Sequence, residues 1–515
     1  MKISWEKKSK KMSFNFSQEQ FEEALEKNGS TVLFKKISAD TITPVLAFLK
    51  ISGNFPSNCF LFESAENGNN KGRFSVLGFM PDLIWKCVGK QSFINTNFDK
   101  NPENFLPENN LSDEDVLQNL RRLIKNSAID WSLLNYGSSQ LPSVCSGIFG
   151  YLGYDMIRLM EKIPNHNLPD ETKIADSIFI RPQIIVVFDN LFDCALICAP
   201  VFFKQNYQEI KDKILRVEKI LNEPYQSLPN KAAKDFQFSS NYTKQEYCAA
   251  VEKVKKYITD GDIFQALPSQ RFTANFDKSL PEFAFYRALR AVNPSPFLFY
   301  LKFDDFVLSG SSPEIMVSLK NQKVTIRPLA GTRLRGKNSA EDKKIADELL
   351  RDEKEVAEHL MLIDLGRHDV GKVCKEGSVA VTEKMVIENY SHVIHISSNV
   401  EGILRDDLDA LDALISGFPA GTVSGAPKIR AIEIIEEIEK TKRSFYAGCV
   451  GYFASNGEME TCITLRSALI KDGKIFLQAG AGVVFDSNPE LEYQECLNKA
   501  SALIKACEKI TEFLG

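Results

Sequence analysis

The sequence predicts an α+β fold, and two observations carry that prediction. Strand-like runs after residue 243 fall in two blocks, with helical patterns between and after them rather than alternating one by one. Such segregation argues against a doubly wound parallel sheet. The blocks are also punctuated by hairpin dipeptides, Asn-Gly at 456–457 and Asp-Gly at 472–473, which join antiparallel neighbours. At 515 residues the chain is long enough for two or more domains around a large core.

Composition excludes several classes of function. The chain is 44% hydrophobic and 25% charged, ordinary for a soluble globular protein, and its net charge of −5 implies no nucleic-acid or anionic-membrane partner. The 11 cysteines include no C-x-x-C pair. Cys194 and Cys198 are expected as core thiols rather than a metal clip, and the unpatterned count reads as reduced thiols in a cytoplasmic protein. The start, MKISWEKKSKKMSF, is basic but lacks an apolar run behind it, so it is not expected to be a signal peptide. The apolar runs IIVVF (184–188) and ALICAPVFF (195–203) are too short to span a bilayer and are expected as buried strands.

The first 220 residues mix short β-like runs with polar loops, among them ENGNNKG (66–72) and the Asn- and Pro-rich stretch 95–110. A helix is expected after it, with Ser112 as N-cap and Asp115 three residues on. NEPYQSLPNKAAKDFQFSSN (222–241) reads as a crossing between two domains, placed at 1–225 and 226–515. TKQE (243–246) is a capping box, and Tyr247, Val251, Val254 and Ile258 follow at helical spacing until TDGD ends the helix. Next come the apparent strands FLFYLKF, FVLSG, IMVSLK and KVTIRPLAG, with a turn at Asn321-Gln322. The second block is GCVGYFASNGEMETCITLRSALIKDGKIFLQAG.

Polar residues concentrate in two helical patterns. In EVAEHLMLIDLGRHD (355–369), Val356, Leu360 and Ile363 mark the expected core side, and Glu355 and Glu358 are neighbours about 5–6 Å apart on another face. By itself such a pair is a solvated face more often than a site. In LEYQECLNKASALIKAC, however, Glu492 and Glu495 repeat the spacing beside the apolar stripe Tyr493, Leu497, Ala500, Ile504 and Cys507. One or two carboxylates, with waters and a substrate group, suit Mg²⁺. FPAGTVSGAPKIRA (418–431) offers backbone N–H groups and Thr422 ahead of a helix that starts near Pro427. QAGAGVV (478–484) permits close backbone approach to a ligand after a strand. Neither is a Walker A loop or a G-x-G-x-x-G fingerprint. Arg466, expected mid-strand in CITLRSALI, would need an anionic partner if buried.

From about Thr243 to Leu514 the chain resembles the chorismate-utilising enzyme family. The matching stretches are GDIFQALPSQRF, NPSPFLFY, SGSSPE, PLAGTRLRG, DEKEVAEHLMLIDLGRHDVGKV, SHVIH, FPAGTVSGAPK, YAGCVGYF, ITLR and QAGAGVVFDSNPELEYQE. Earlier, LFESAE and KGRFSVLGF resemble the N-terminal domain of the family's anthranilate-forming branch. The resemblance implies a two-layered β-sandwich core flanked by helices. Water-using members carry a lysine base where this sequence has Gln265, and a neutral amide cannot take a proton from water. Aminodeoxychorismate-forming members, the alternative, typically carry lysine at Ala330. His368 stands where asparagine is common and receives no role.

The same resemblance implies the chemistry, a Mg²⁺-dependent lyase reaction of chorismate. Glu314 occupies the acid position, and His395, rather than His392, is the active-site histidine. Glu358 and Glu495 would hold the metal, with Glu355 and Glu492 in support. Gln265, Gly331, Thr422, Tyr446, Arg466, Gly480 and Gly482 would contact substrate. A tryptophan feedback pocket would use Glu63, Ser64, Pro296, Phe297, Leu298, Val450 and Tyr452, with Glu63 pairing the amino group. No glutamine-amidotransferase segment is recognisable, so the resemblance implies a hetero-oligomer with a glutaminase subunit that supplies ammonia.

Overall fold

Left-handed backbone at Asn321 (φ 50°) and Gln322 (φ 63°) closes the hairpin between strands Ile315–Lys320 and Lys323–Ile326. Asp472 (φ 51°) and Gly473 (φ 72°) do the same between Ser467–Lys471 and Lys474–Gly480. Both turns match the right-handed twist of the flanking strands, as the sequence predicts. The computed structural model describes residues 14–66, 70–108, 115–136, 139–203, 205–225, 235–390 and 393–514. Among these, the strands join into one antiparallel sheet of 21 strands with three short two-stranded ribbons beside it.

The sheet runs through both halves of the sequence. Cys59–Glu63 pairs with Phe297–Lys302, and Gly147–Leu152 pairs with Cys449–Ala454. Alternation along these strands feeds two apolar cores, one on each side. Phe60, Val76 and Phe299 enter one core, while their neighbours Leu61, Leu77, Leu298 and Tyr300 enter the other. IIVVF lies in the buried strand Ser177–Asp189 and residues 195–201 of ALICAPVFF lie in the buried strand Cys194–Val201, whereas Phe203 past its end is exposed; Cys194 and Cys198 are core thiols.

Helices Lys244–Thr259, Glu282–Val292 and Pro489–Glu508 pack together over the second core. The first of them starts at the Thr243–Glu246 capping box. The helix Glu353–Gly371 lies against strands Leu329–Leu334 and Val393–Ile403. No described helix is long and apolar enough to cross a membrane.

Four expectations change. On Glu353–Gly371 the buried side is His359, Leu362, Ile363, Gly366 and Val370, whereas Leu360 is exposed and Val356 only half-buried. The helix is rotated because His359 satisfies Ser398 in the interior at 2.7 Å, so a polar ring occupies a core position. On Pro489–Glu508 the buried set includes Glu492 and Cys496, while Tyr493, Leu497 and Ile504 sit at its margin. The helix Val116–Asn126 is capped by Asp115, whose carboxylate accepts the Gln118 N–H at 3.0 Å. Ser112 lies outside the described residues, as do His392, residues 1–13 and 226–234 of the 222–241 crossing. Finally, Arg466 is not mid-strand. It stands at a break between Met459–Ile463 and Ser467–Lys471 with φ 46°.

Candidate active site

Glu314 is placed by the short gap between strands Phe306–Ser312 and Ile315–Lys320, which turns its side chain into the interior. Thr422 Oγ1 donates to its Oε1 at 2.9 Å, and the Leu329 N–H approaches the same oxygen at 3.5 Å. Burial pushes the Glu314 pKa up to about 7, against the lowering pull of Thr422, the Leu329 amide, Arg466 and Lys499. A carboxyl in this environment carries a proton near neutral pH.

His395 comes from strand Val393–Ile403, which pairs with Leu329–Leu334 across a register shift at Ala330/Thr332. Gly331 takes φ 63° there, a conformation that glycine adopts without strain. Its carbonyl lies 3.3 Å from His395 Nδ1, and Thr332 Oγ1 lies 3.1 Å from the same nitrogen. Burial, and then the Arg466 charge, depress the His395 pKa to about 4, so the imidazole is neutral at pH 7.

Glu314, His395, Thr422, Tyr446, Arg466 and Gly480 line one cavity of about 130 Å³. Among the described residues the Arg466 guanidinium has no hydrogen bond or ion pair, although its surroundings depress its pKa by burial. An unpaired guanidinium on the wall of a cavity is suited to a ligand carboxylate.

A second group adjoins it. Gln265 Nε2 donates to Glu358 Oε1 at 2.8 Å, and a Cβ added at Gly482 would stand 3.0 Å from that amide. A side chain at 482 would therefore crowd the Gln265 amide, which would have to shift by a few tenths of an ångström. Gln265 Oε1 is buried without a partner among the described residues. Burial raises the pKa of Glu358, Gln265 opposes the rise, and Glu355 adds to it. Glu355 itself is held by Arg333 at 2.9 Å. Glu492 is likewise raised by burial, opposed by the Ser487 hydroxyl at 2.7 Å, and raised again by Glu495.

Lys499 ties the two groups together, and sequence reading missed it. It pairs with Glu495 at 2.8 Å, donates to the Gly480 carbonyl at 3.2 Å and lines the cavity. Its charge reaches Glu314, Glu358, Glu492 and His395. Its place four residues after Glu495 was the available signal. Thr332 and Gln478 also line the cavity, inside the quoted PLAGT and QAGAG stretches.

The seven residues expected around tryptophan, Glu63, Ser64, Pro296, Phe297, Leu298, Val450 and Tyr452, all line a separate cavity of about 960 Å³. Register brings two of them together, since Glu63 pairs across the sheet with Leu298, and Val450 and Tyr452 come from strand Cys449–Ala454. Glu63 already accepts from Arg290 Nε at 2.8 Å and from the Tyr286 hydroxyl at 2.7 Å. Pro313 and Leu329 belong to the walls of both cavities.

Comparison with known proteins agrees with this architecture. Residues 58–505 match the family model described as chorismate binding enzyme. The chain belongs to the chorismate binding enzyme family. Within it, the chain is 45% identical over 498 residues to the anthranilate synthase component 1 of Cereibacter sphaeroides, covering 95% of this chain and 97% of that one. The solved anthranilate synthase component I of Streptococcus pneumoniae superposes with a TM-score of 0.72 at 34% identity, covering 84% of this chain and 92% of that one. The menaquinone-specific isochorismate synthase of Escherichia coli shares the fold, with a TM-score of 0.68 at 17% identity over 94% of this chain and 99% of that one.

Proposed function

We propose that the chain is the large subunit of an anthranilate synthase, converting chorismate and ammonia to anthranilate and pyruvate. The carrying observation is the single cavity lined by Glu314, whose burial pushes its pKa up to about 7, by His395, whose burial holds its pKa down to about 4, and by Arg466, which has no partner among the described residues. The identity to anthranilate synthase component 1 relatives, extending over nearly the whole chain, supports the same reading.

In this reading ammonia adds to C2 of chorismate as the C4 hydroxyl leaves. Hydroxide leaves poorly, so Glu314 delivers its proton and water departs, an effect worth about 10²–10⁴ in rate. Elimination of pyruvate from the resulting aminodeoxyisochorismate then aromatises the ring. His395, neutral and fixed through Nδ1, is positioned to take a proton in that step. Arg466 and Tyr446 hold the enolpyruvyl carboxylate, and Gly480 and Gly482 let the backbone approach it. Thr422 and Gly331 contact the ring end. Gln265, an amide beside Glu358, cannot activate water as a base, which favours ammonia as nucleophile.

Mg²⁺ would be held by Glu358 and Glu495. The donors fit: both residues offer hard carboxylate oxygens, and the charge of Glu358, disfavoured by burial and by Glu355, would be stabilised by a divalent cation. Among the described residues no three His, Cys, Asp or Glu side chains gather into a complete ligand set, so water and substrate oxygens would complete the shell. When bound, the ion would neutralise and orient the ring carboxylate. The approximately 960 Å³ cavity at Ser64 and Tyr452 is read as the tryptophan feedback site. Its shared wall with the reacting cavity supports coupling between the two. Because Glu63 is engaged by Arg290, an incoming ammonium group would have to share that carboxylate. A separate glutaminase subunit in a cytoplasmic hetero-oligomer would supply ammonia from glutamine.

The test is incubation with chorismate, ammonium and Mg²⁺ while anthranilate fluorescence and pyruvate are followed. Aminodeoxychorismate as the sole product would move the chain to the aminodeoxychorismate synthase branch. Absence of any aromatic product from folded protein would sink the reading.

A further inference from the structure

One buried arginine lies outside the reacting cavity yet holds three of its walls. Arg443 is 2% exposed and follows the helix Lys428–Ile438. Its Nη1 donates to the Val423 carbonyl at 2.7 Å, and its Nη2 donates to the Leu267 carbonyl at 2.6 Å. Nε and Nη2 grip Glu439, at 3.0 and 2.7 Å. Leu267 and Val423 both line the cavity, and Val423 follows Thr422 in the chain.

The grip extends through Glu439 to the third wall. Glu439 Oε1 accepts from the Ser269 N–H at 2.8 Å and from the Ser269 hydroxyl at 2.7 Å. Ser269 Oγ in turn accepts from Gln478 Nε2 at 2.8 Å, and Gln478 lines the cavity. The Arg443 guanidinium also lies 5.7 Å from the ring centre of Tyr446, another lining residue. A buried ion pair is weak evidence for stability, since well-packed apolar residues often serve as well. Here the pair spends its donors on backbone carbonyls of separate loops, an arrangement that fixes geometry.

We propose that Arg443 is a positioning residue for the reaction, clamping the Leu267 and Val423 loops so that Thr422 is held against Glu314. The inference rests on the reading of this cavity as the reacting site. The guanidinium fork is what permits the clamp. A lysine ammonium is a single point with three donors and cannot span both carbonyls and Glu439 in the same plane.

The consequence is specific to Glu314. The groups that face it are Thr422, the Leu329 N–H, Arg466 and Lys499, with Tyr390 influenced by its charge. Thr422 donates to the ionised carboxylate and so holds its pKa down. Loosening the Val423 loop removes that restraint, and the acid keeps its proton to higher pH.

The experiment is steady-state kinetics of the full chain with chorismate, ammonium and Mg²⁺ across pH, comparing parent, Arg443→Lys, Thr422→Val and the double variant. Arg443→Lys should lose about ten- to a hundredfold in kcat, as small misplacements of a reacting group do. The basic limb of its pH profile should move upward. Thr422→Val should move that limb the same way, and the double variant should move it no further. Glu439→Gln keeps the Ser269 acceptor but weakens the anchor, and should give a smaller shift of the same sign. It carries the test if Arg443→Lys does not fold. A parent chain active on chorismate, with folded variants whose basic limb stays in place, overturns the clamp and leaves the site reading intact. A folded parent inactive on chorismate overturns both.

Discussion

Gln265 Nε2 donates a 2.8 Å hydrogen bond to Glu358 Oε1 across a separation of 93 residues. The contact joins the two features that define the proposed chemistry, a nucleophile site without a base and a carboxylate reserved for a cation.

Glu358→Ala should abolish Mg²⁺-dependent turnover without lowering the urea midpoint of unfolding. The substitution removes a buried carboxylate that Glu355 repels, so the fold loses little. Retained Mg²⁺ dependence would remove Glu358 from the metal site.

For Glu314, kcat of the parent should fall as pH rises through about 7, because the acid form is then lost. Glu314→Gln should reduce kcat by about 10²–10⁴ and flatten that limb. A pH profile unchanged in Glu314→Gln would assign the acid role elsewhere.

Ser64→Ala should weaken tryptophan inhibition while uninhibited turnover stays near the parent value, since Ser64 lines the larger cavity and not the reacting one. Inhibition titrations with tryptophan at fixed chorismate check this. Equal sensitivity in the two proteins would count against that pocket.

Lys428 Nζ pairs with Asp369 Oδ2 at 2.7 Å in the interior, joining the Thr422 segment to the helix of Glu358. Lys428→Met should destabilise the fold by about 3–5 kcal/mol, because it leaves a buried carboxylate uncompensated. Lys372, 3.3 Å from Asp369 Oδ1, places the expectation toward the lower end of that range. Adding Asp369→Leu should recover part of the loss in urea unfolding.

His359 is fully buried, and burial depresses its pKa from 6.5 to about 4. Between those values the unfolded chain binds the proton and the folded chain does not. The contribution of His359 to stability is therefore present above pH 6.5 and lost as pH falls toward 4. His359→Gln should show a shallower decline of unfolding free energy across that window than the parent. An identical slope would mean that His359 does not titrate on unfolding.

Much of the local structure is legible in the residues alone. The Thr243–Glu246 capping box, the Asn321-Gln322 and Asp472-Gly473 turns and the buried runs at 184–188 and 195–201 depend on near neighbours in the chain, so propensity and periodicity find them. The helix face at 353–371 was misjudged because periodicity counts apolar letters. His359 counts as polar, but Ser398, which meets it in the core, comes from a distant strand.

The sequence by itself determined the α+β class, the family resemblance and the residue types available for acid, cation and carboxylate-binding roles. These follow from local chemistry and from ordered motifs. Only the tertiary structure decided which residues share a cavity, that Glu314 is buried enough to hold a proton near pH 7, and that Lys499 and Arg443 brace the site. Burial and contact between residues far apart in sequence arise from how strands and helices pack, and no spacing within one segment encodes them.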